Sequence, residues 1–428
     1  MIIGIFFIIL LLAGVPVAFS LGIPALAWLL IHPGMPMTSV AQNMMKYMLS
    51  FTIISMPGFL LVGRLMNSSG ITDRLLRFAV AVVGRLRGGL VYANALASMM
   101  FATMSGTAIG DAGGLGLVEM KMMKDAGYKP AIAAGITASS SILGPIIPPS
   151  SIMVMLGAVA EVSTAALFYA GVVPGVIMAG SLMGFIFIRS MVTAEGKSWP
   201  TTKLPLKESL KTIPQAIPAM MTFVIILGSI MGGIATCTEA AILAVWWAIF
   251  LGIVYKKLTW KKMWKTLQSA VSACGVFMLI MAVASYLAWI FTIEGLPQFL
   301  RTFLASLAGN NEILMLLICA GIFLLIGCFL DTGAAALILA PILFPVVRAL
   351  GIDVVHFGIV MTIGLMIGII TPPFGICLFV VAEVGNVPVR AVTKESVRYI
   401  PAMVVTLLLV ILFPDMVLML PRMFLGYK

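Results

Sequence analysis

The sequence predicts an all-α polytopic membrane protein made of two inverted repeats, each with a re-entrant hairpin and a transmembrane helix broken at a Pro-Pro pair. Composition is the first observation behind this prediction. Of the 428 residues, 62% are hydrophobic and 10% are charged, and the mean hydropathy is +1.17. Soluble globular domains do not have such values. The other two observations are a duplicated Pro-Pro motif and the distribution of charge around the apolar segments.

Two apolar stretches carry the Pro-Pro motif. Residues 139–162 read SSSILGPIIPPSSIMVMLGAVAEV, and residues 362–384 read TIGLMIGIITPPFGICLFVVAEV. Adjacent prolines remove backbone donors and interrupt a helix. Because lipid cannot satisfy free backbone groups, such a break is tolerated only where it lines a cavity or binds a ligand. Broken helices in matching positions of two halves indicate a transporter site.

The two halves of the chain align with a nearly constant offset of 222 to 225 residues. The corresponding pairs are Gly70 and Gly295, Gly127 and Gly351, Pro148 and Pro372, and Glu161 and Glu383. Such a register indicates internal duplication. We therefore divide the chain into a first repeat at 1–190, a lysine-rich cytoplasmic connector with a short interfacial helix at 191–215, and a second repeat at 216–428.

Charge at the ends of the apolar segments predicts that the repeats are inverted. The first hairpin, at about 88–125, has basic residues at both ends, so both ends face the cytoplasm. Its counterpart, at about 312–350, has mostly acidic and amide residues at its ends and faces outward. As one helix it would be about 50 Å long, against a bilayer core of about 30 Å, so we expect a turn near Asp331. The broken helices follow at about 130–161 and 354–384.

The remaining apolar segments predict single transmembrane spans and two interfacial arms. The spans are expected at 4–31, 45–66, 165–188, 216–234, 238–255, 266–292 and 400–420. The arms, at 70–84 and 295–308, have the amphipathic pattern of helices that lie along the interface.

The tips of the two hairpins hold the side chains that we expect to carry function. The first tip, MSGTAIGDAGGLG at 104–116, contains Ser105, Thr107 and Asp111. The second tip, FLDTGAAA at 329–336, has Asp331 and Thr332 in corresponding positions. Carboxylate, hydroxyl and carbonyl oxygens suit a hard cation such as Na⁺. Asp111 has an alternative role as the N-cap of the returning limb of its hairpin.

The backbone at the two breaks supplies further candidate ligands. Unwound carbonyls at 144–150 and 368–375 can complete a cation shell beside each tip. Ser150, Ser151 and Thr371 add hydroxyls there, and capping is their alternative role. The central apolar segments contain no Lys or Arg, so we expect the charge of an anionic substrate to be met by helix N-termini and bound cations.

Several conspicuous residues have a structural interpretation instead. Glu161 and Glu383 close the broken helices and fit interfacial solvation, while Glu239 lies between two spans next to the possible cap Thr236. Five scattered cysteines lack metal-site spacing and are expected to be small core residues. The formal charge of +11 fits positive-inside loops and contact with membrane lipid, and we expect no nucleic-acid partner because no basic soluble domain is present.

The chain resembles the large membrane (M) subunit of tripartite ATP-independent periplasmic (TRAP) transporters. The resemblance spans essentially the whole chain, and its motifs occur in order. They are MSGTAIGDA at 104–112, KMMKDAGYKPAIAAGITASSSILGPIIPPS at 121–150, GGIATCTEAA at 232–241, GCFLDTGAAALILAPI at 327–342 and GIITPPFG at 368–375.

The resemblance implies a sodium-driven importer of an organic-acid anion, with an elevator-type ion-transporter-superfamily fold in the bacterial inner membrane. It implies two protein partners, a small membrane (Q) subunit as a separate chain and a periplasmic substrate-binding protein (P). No cofactor is expected apart from Na⁺ as the coupling ion, and no enzyme activity.

Carried over to matching positions, the resemblance also implies the site residues. The sodium ligands are Ser105, Gly106, Thr107, Gly144, Pro148, Asp331, Thr332, Gly333, Thr371, Pro372 and Gly375. The substrate ligands, between the tips, are Asn94, Ser105, Ser150, Asp331, Thr332 and Thr371.

Two other functions remain open at this point. A stand-alone anion/sodium symporter of the same superfamily would take up its substrate without a binding protein. An intramembrane aspartyl protease would use Asp111 and Asp331 as a dyad, but it would not account for inverted hairpins beside Pro-Pro breaks.

Overall fold

The computed structural model describes residues 2–202, 205–309 and 311–427. In these residues all regular structure is helical, and seven helices are long and apolar enough to cross a membrane, or up to nine if each of two bent pairs is one span. The predicted all-α polytopic membrane fold is therefore confirmed. The division into inverted repeats, and the side of the membrane that each end faces, stay predictions.

The N-terminal region is more broken than its apolar pattern predicts. Its helices are α1 (Ile2–Leu12), α2 (Val17–Ile31), α3 (Met37–Met48), α4 (Ser55–Ser68) and α5 (Ile71–Val83). The single span predicted at 4–31 is wrong, because Gly14 has φ +81° and Pro16 lacks the donor that would continue α1. The span predicted at 45–66 bends by 57° through a 3₁₀ turn at Phe51–Ile54. The predicted arm at 70–84 is helix α5.

A helix–turn–helix and a broken helix follow, in the ranges where the sequence predicts a hairpin and a Pro-Pro break. The first element comprises α6 (Gly89–Ser105), α7 (Ala108–Gly113) and α8 (Leu115–Asp125). The broken helix comprises α9 (Pro130–Ser141), α10 (Leu143–Ile146) and α11 (Ser151–Val159), with a 41° bend between α10 and α11. Both α6 and α8 pack on α9, so the two limbs lie side by side against the broken helix.

The described middle of the chain consists of four long spans and two shorter helices. These are α12 (Thr164–Val192), α13 (Ala194–Lys197), α14 (Leu206–Met231), α15 (Cys237–Val254), α16 (Trp260–Ile293) and α17 (Leu296–Ala308). The connector is shorter than predicted, because residues 206–215 form the first turns of α14. Helix α16 also begins before its predicted span, at Trp260. The Thr259 hydroxyl caps it by accepting a hydrogen bond from the backbone N–H of Lys262. Helix α17 corresponds to the second predicted arm.

The second half repeats the hairpin and the broken helix. Its helices are α18 (Glu312–Phe329), α19 (Thr332–Ala349), α20 (Val354–Gly368), α21 (Ile376–Gly385), α22 (Val389–Ser396), α23 (Ile400–Leu412) and α24 (Pro414–Leu425). The turn between α18 and α19 falls at Asp331, as predicted. The span predicted at 400–420 ends earlier, at Leu412, because Pro414 cannot donate to the preceding turn.

Helix packing divides these elements into two groups. The scaffold group consists of α2, α3, α4, α14, α15 and α16, which pack mainly on one another, together with α5, which packs on both α14 and α6. The hairpin group consists of α6 to α11 and α18 to α22, in which α18 packs on α20, α9 on α22 and α11 on α19. The groups meet where α4 and α5 contact α6 and where α16 contacts α19. A site between the hairpin tips is therefore bordered by α4 and α16.

A network of ion pairs fixes the end of α12 to the C-terminal part of the hairpin group. The guanidinium of Arg189 donates to the carboxylate of Glu395 and to the hydroxyl of Tyr399, and it lies 3.0 Å from Glu195. The Lys129 ammonium donates to Glu195 over 2.9 Å, and this bond holds the pKa of the Glu195 carboxyl below its ordinary value. Because these buried charges are paired, we interpret the network as structural.

Candidate functional site

A cavity of about 380 Å³ lies where the two hairpin tips meet the scaffold group. Seven of the predicted site residues line it. They are Ser105, Gly106 and Thr107 of the first tip, Ser151 beside the first break, and Asp331, Thr332 and Gly333 of the second tip. The structure thus brings together two segments that are more than two hundred positions apart in the chain.

Backbone geometry shapes the first tip. Helix α6 ends at Ser105, Gly106 turns the chain with φ +59°, and the hydroxyl of Thr107 caps α7 by accepting from the backbone N–H of Gly110 over 3.1 Å. The cap is therefore Thr107, and the alternative role of Asp111 as an N-cap is wrong. The buried carboxylate of Asp111 accepts a hydrogen bond from the Ser105 hydroxyl, and its other oxygen has no partner in the described part of the chain.

The first break packs directly on the first tip. The backbone N–H of Ser151 donates to the carbonyl of Gly106 over 3.3 Å. A Cβ atom added at Gly144 would lie 2.8 Å from Oδ2 of Asp111 and 3.2 Å from the carbonyl oxygen of Thr107. Ser150 caps α11 by accepting from the backbone N–H of Met153 over 3.3 Å. The first tip and the first break are therefore in direct contact. The predicted cation shell, which combines oxygens of both, requires this contact.

The second tip is organised by a carboxylate. Asp331 is the N-cap of α19, and its Oδ2 accepts from the backbone N–H of Gly333 over 3.0 Å. Its side chain remains at the cavity wall next to Thr332. One carboxylate oxygen thus has a structural role, and the same side chain lines the cavity.

The second break lies close to its tip but contributes little to the cavity. The backbone N–H of Gly375 donates to the carbonyl of Cys328 over 3.0 Å, which holds the break against the end of α18. The Thr371 hydroxyl donates back to the carbonyl of Ile367 over 2.7 Å. Ile369 lines the cavity, whereas Thr371, Pro372 and Gly375 lie outside its lining. Both Pro-Pro bonds, Pro148–Pro149 and Pro372–Pro373, are cis.

The structure places the other predicted site residues outside the cavity lining. Gly144, Pro148 and Ser150 lie behind the first tip, as described above. Asn94 is fully buried between helices α6 and α9, where its amide donates to the Thr137 hydroxyl and its carbonyl oxygen accepts from the Ser140 hydroxyl, each over 2.7 Å. With these bonds, Asn94 has a packing role in this structure, and its role as a substrate ligand is a prediction that the cavity does not support.

Sequence analysis missed the scaffold wall of the cavity. Arg64 and Asn67 of α4 and Phe277 of α16 line it opposite the hairpin tips. Arg64 falls near the end of a predicted span, where a basic residue is usually interpreted as reaching towards the interface. A guanidinium therefore borders the cavity, in addition to the helix N-termini and bound cations that the sequence predicts as sources of positive charge.

A second cavity, of about 310 Å³, lies at the other end of the contact between the two groups. Lys46 of α3, Arg348 of α19 and Glu161 after α11 line it. The ammonium of Lys46 is 3.8 Å from the Glu161 carboxylate, and the Arg348 guanidinium donates to the carbonyl of Ala160 over 2.6 Å. Glu161 is exposed and at a helix end, in agreement with the expected interfacial position.

Glu239 and the cysteines occupy structural positions. Glu239 and Thr236 form a capping box at the start of α15. The five cysteines are free, and four of them are buried. Within the described ranges, no group of three or more His, Cys, Asp or Glu side chains could hold a metal ion.

A cavity between paired helical hairpins inside a bundle of membrane spans defines this protein as a multi-pass membrane transporter. A family model described as "Tripartite ATP-independent periplasmic transporter, DctM component" matches residues 4–416. The chain therefore belongs to the DctM family of TRAP transporter components, as its motifs predict.

Curated relatives agree with this assignment. The sialic acid TRAP transporter large permease protein SiaM of Vibrio cholerae is 40% identical over 420 residues, which are 98% of this chain and 97% of that protein. The C4-dicarboxylate TRAP transporter large permease protein DctM of the same organism is 34% identical over 442 residues, covering 97% and 96%. Among solved structures, MtrF of Neisseria gonorrhoeae has a TM-score of 0.63 at 14% identity, covering 88% of this chain and 83% of that one, and so shares its fold.

Family membership decides two of the sequence predictions and supports a third in part. The protein is a transporter permease and not an enzyme, so the aspartyl protease alternative is wrong. Its location in the bacterial inner membrane is confirmed. The family also implies a periplasmic binding protein and usually a small membrane subunit as partners.

Proposed function

We propose that this chain is the permease of a sodium-coupled importer that moves an organic-acid anion by an elevator mechanism. The observation that carries the proposal is the meeting of Ser105–Thr107 and Asp331–Gly333 in one cavity. Hydroxyl, carboxylate and backbone oxygens from two hairpins converge there, and each hairpin tip lies against the broken helix of its own half. This arrangement is typical of ion-coupled transporters with discontinuous helices.

Sodium would bind at two sites, one beside each break. The first consists of Ser105, Gly106 and Thr107 with the backbone at Gly144–Ser150. The second consists of Asp331, Thr332 and Gly333 with the backbone at Thr371–Gly375. The contacts of Ser151 with Gly106 and of Gly375 with Cys328 support this grouping, since they keep each tip and break together.

The substrate would be a carboxylate-bearing organic acid held between the two tips. The sialic acid and C4-dicarboxylate permeases among its relatives support this class. Ser105, Thr107 and Thr332 offer hydroxyl groups to such a ligand. Bound sodium beside the tips would offset the charge of the anion, which gives a physical reason for coupling.

Movement of the hairpin group past the scaffold group would carry the site across the membrane. The division of the helices into two packing groups, with the cavity at their boundary, supports this mechanism. In the second cavity the Lys46–Glu161 contact joins α3 of the scaffold group to the end of α11 of the hairpin group, as an exposed and therefore weak link between the two. A small subunit on a separate chain would assist the scaffold, and a periplasmic binding protein would deliver the anion.

Uptake by the reconstituted complex tests this function. Proteoliposomes that contain the chain and its small subunit would be given a binding protein and radiolabelled N-acetylneuraminate or succinate. We expect uptake with an inward sodium gradient and little uptake in buffer that contains potassium only. Equal uptake in the two buffers would contradict sodium coupling. Uptake that proceeds without any binding protein would instead select a stand-alone symporter.

A further inference from the structure

One face of α4 forms the wall of the cavity opposite the hairpin tips. Leu60, Gly63, Arg64 and Asn67 line the cavity, with the spacing of a single helix face. Helix α4 belongs to the scaffold group, so this wall and the tips are on different groups of helices. The boundary between the groups therefore passes through the cavity.

Gly63 brings this wall unusually close to the first tip. A Cβ atom added at Gly63 would lie 2.8 Å from the Cα atom of Ser105 and 3.0 Å from the carbonyl oxygen of Met104. The backbone of α4 can approach Ser105 only because residue 63 has no side chain. This approach places the next residue, Arg64, beside the tip and at the cavity wall.

The guanidinium of Arg64 has no partner in the described residues. No ion pair within 4.0 Å and no side-chain hydrogen bond involves it there. Exposed arginines such as Arg77 and Arg85 likewise have none, but Arg64 is the arginine of the described residues that lines this cavity. A cation within an apolar span is costly when it is unpaired, and such residues face water-filled cavities that serve a function. The structure thus shows a cation without a counter-charge beside the transport site.

We propose that Arg64 binds a carboxylate group of the transported anion from the scaffold side of the cavity. This rests on the proposed function, that the chain transports an organic acid. A planar guanidinium matches a carboxylate with two parallel hydrogen bonds. Asp331, on the hairpin side, repels a carboxylate, so the charged end of the anion turns towards α4 while the hydroxyl groups of the tips contact its remainder.

Because Arg64 is on the scaffold, the contact also depends on the position of the hairpin group. Displacement of the tips along α4 separates a bound anion from the guanidinium. Arg64 therefore strengthens binding in the arrangement seen here and releases the anion when the tips move away. A basic residue on the hairpins themselves would instead travel with the anion.

Ligand binding to the purified chain with its small subunit tests this role. The shift in melting temperature would be titrated with N-acetylneuraminate and with succinate in sodium buffer. Arg64→Gln is expected to weaken binding of the responsive acid about tenfold or more, since a hydrogen-bonded charge pair is lost. Arg64→Lys keeps the positive charge but lacks the planar guanidinium. Its affinity for the acid is therefore expected to lie between those of the wild type and Arg64→Gln. Arg77→Gln removes an exposed charge from α5 and serves as the matched control.

The outcomes separate this role from the proposed function. Unchanged binding in Arg64→Gln, or an equal loss in Arg77→Gln, would overturn the role of Arg64 while leaving transport intact. If neither acid binds the wild-type protein or is taken up by it, the proposed substrate class itself fails, and the role of Arg64 with it. Melting temperatures without ligand identify a variant that is merely misfolded. If Arg64→Gln is misfolded, Arg64→Lys provides the test. Unchanged binding in folded Arg64→Lys would overturn the proposed pairing of the carboxylate with the planar guanidinium.

Discussion

The two Pro-Pro breaks share a motif and a cis bond but lie in different surroundings. Every residue of the first break, 144–150, is buried. In the second break Thr371 is half-buried, Pro372 and Pro373 are exposed, and Phe374 is 51% exposed. The same Pro-Pro motif is therefore enclosed at the first break and partly open at the second.

The difference arises from how each tip meets its break. At the first break, Gly106 lies so close that an added Cβ atom would be 2.7 Å from the carbonyl oxygen of Pro149. At the second break, contact is made through Gly375 and Cys328, and Asp331 caps its own helix instead of covering the break. Backbone packing thus holds the first tip to its break, whereas at the second tip the Asp331 side chain caps α19 and lines the cavity.

The largest effect is expected from the carboxylate of the second tip. Asp331→Ala should reduce sodium-driven uptake at least about a hundredfold, because the variant loses the acidic side chain that lines the cavity. Uptake of labelled acid into proteoliposomes measures the effect. Asp415→Asn, which removes an acid that is 86% exposed at the start of α24, is the matched control and should transport normally. Wild-type uptake in Asp331→Ala would exclude this carboxylate as a sodium ligand.

A smaller effect is expected when the glycine at each hairpin tip is replaced by alanine. Gly106→Ala should destabilise the protein by about 1–3 kcal/mol and lower uptake, because Gly106 has φ +59° and its new Cβ would meet the Pro149 carbonyl. Gly333→Ala should have a milder effect, since its Cβ would meet a movable side-chain atom, Cε1 of Phe277, at 3.0 Å. Unfolding and uptake would be measured for both variants. Equal losses would refute the claim that only the first tip depends on backbone packing.

Removal of a hydroxyl group should cost more stability at the first break than at the second. In sodium-free buffer, Ser150→Ala should lower the free energy of unfolding by about 1 kcal/mol, because it removes the cap of α11. Thr371→Val should change it by less than about 0.5 kcal/mol, since its hydroxyl donates only to the preceding turn. Urea titration in detergent measures both. A greater loss for Thr371→Val would reverse the comparison.

The smallest effect is expected where the broken helices end. Glu161→Gln and Glu383→Gln should each leave uptake within about twofold of wild type. The ion pair of Glu161 is exposed, and such pairs contribute about 0–1 kcal/mol, while Glu383 is exposed and has no ion pair among the described residues. Initial uptake rates measure this. A strong loss in either variant would show that these acids act in transport and not in interfacial solvation.

Much of the architecture could be predicted because the sequence marks it with residues of restricted geometry. The Pro-Pro pairs locate both breaks, and Asp331 locates the second turn. The breaks after Leu12 and Leu412 are not predicted by hydropathy, because the apolar pattern runs through both positions. Gly14, Pro16 and Pro414 are the residues that signal them. Arg64 and Phe277 could not be assigned to the site, because their position depends on packing between distant helices.

Sodium binding in the absence of substrate tests the central claim, that each tip and its break form a sodium site. The melting temperature of the purified protein would be followed as sodium replaces choline at constant ionic strength, because an ion that binds the folded state raises it. We predict a clear rise for the wild-type protein and a smaller rise for Asp331→Ala, which keeps the first site. No rise in the wild type, or an identical rise in the variant, would contradict the account.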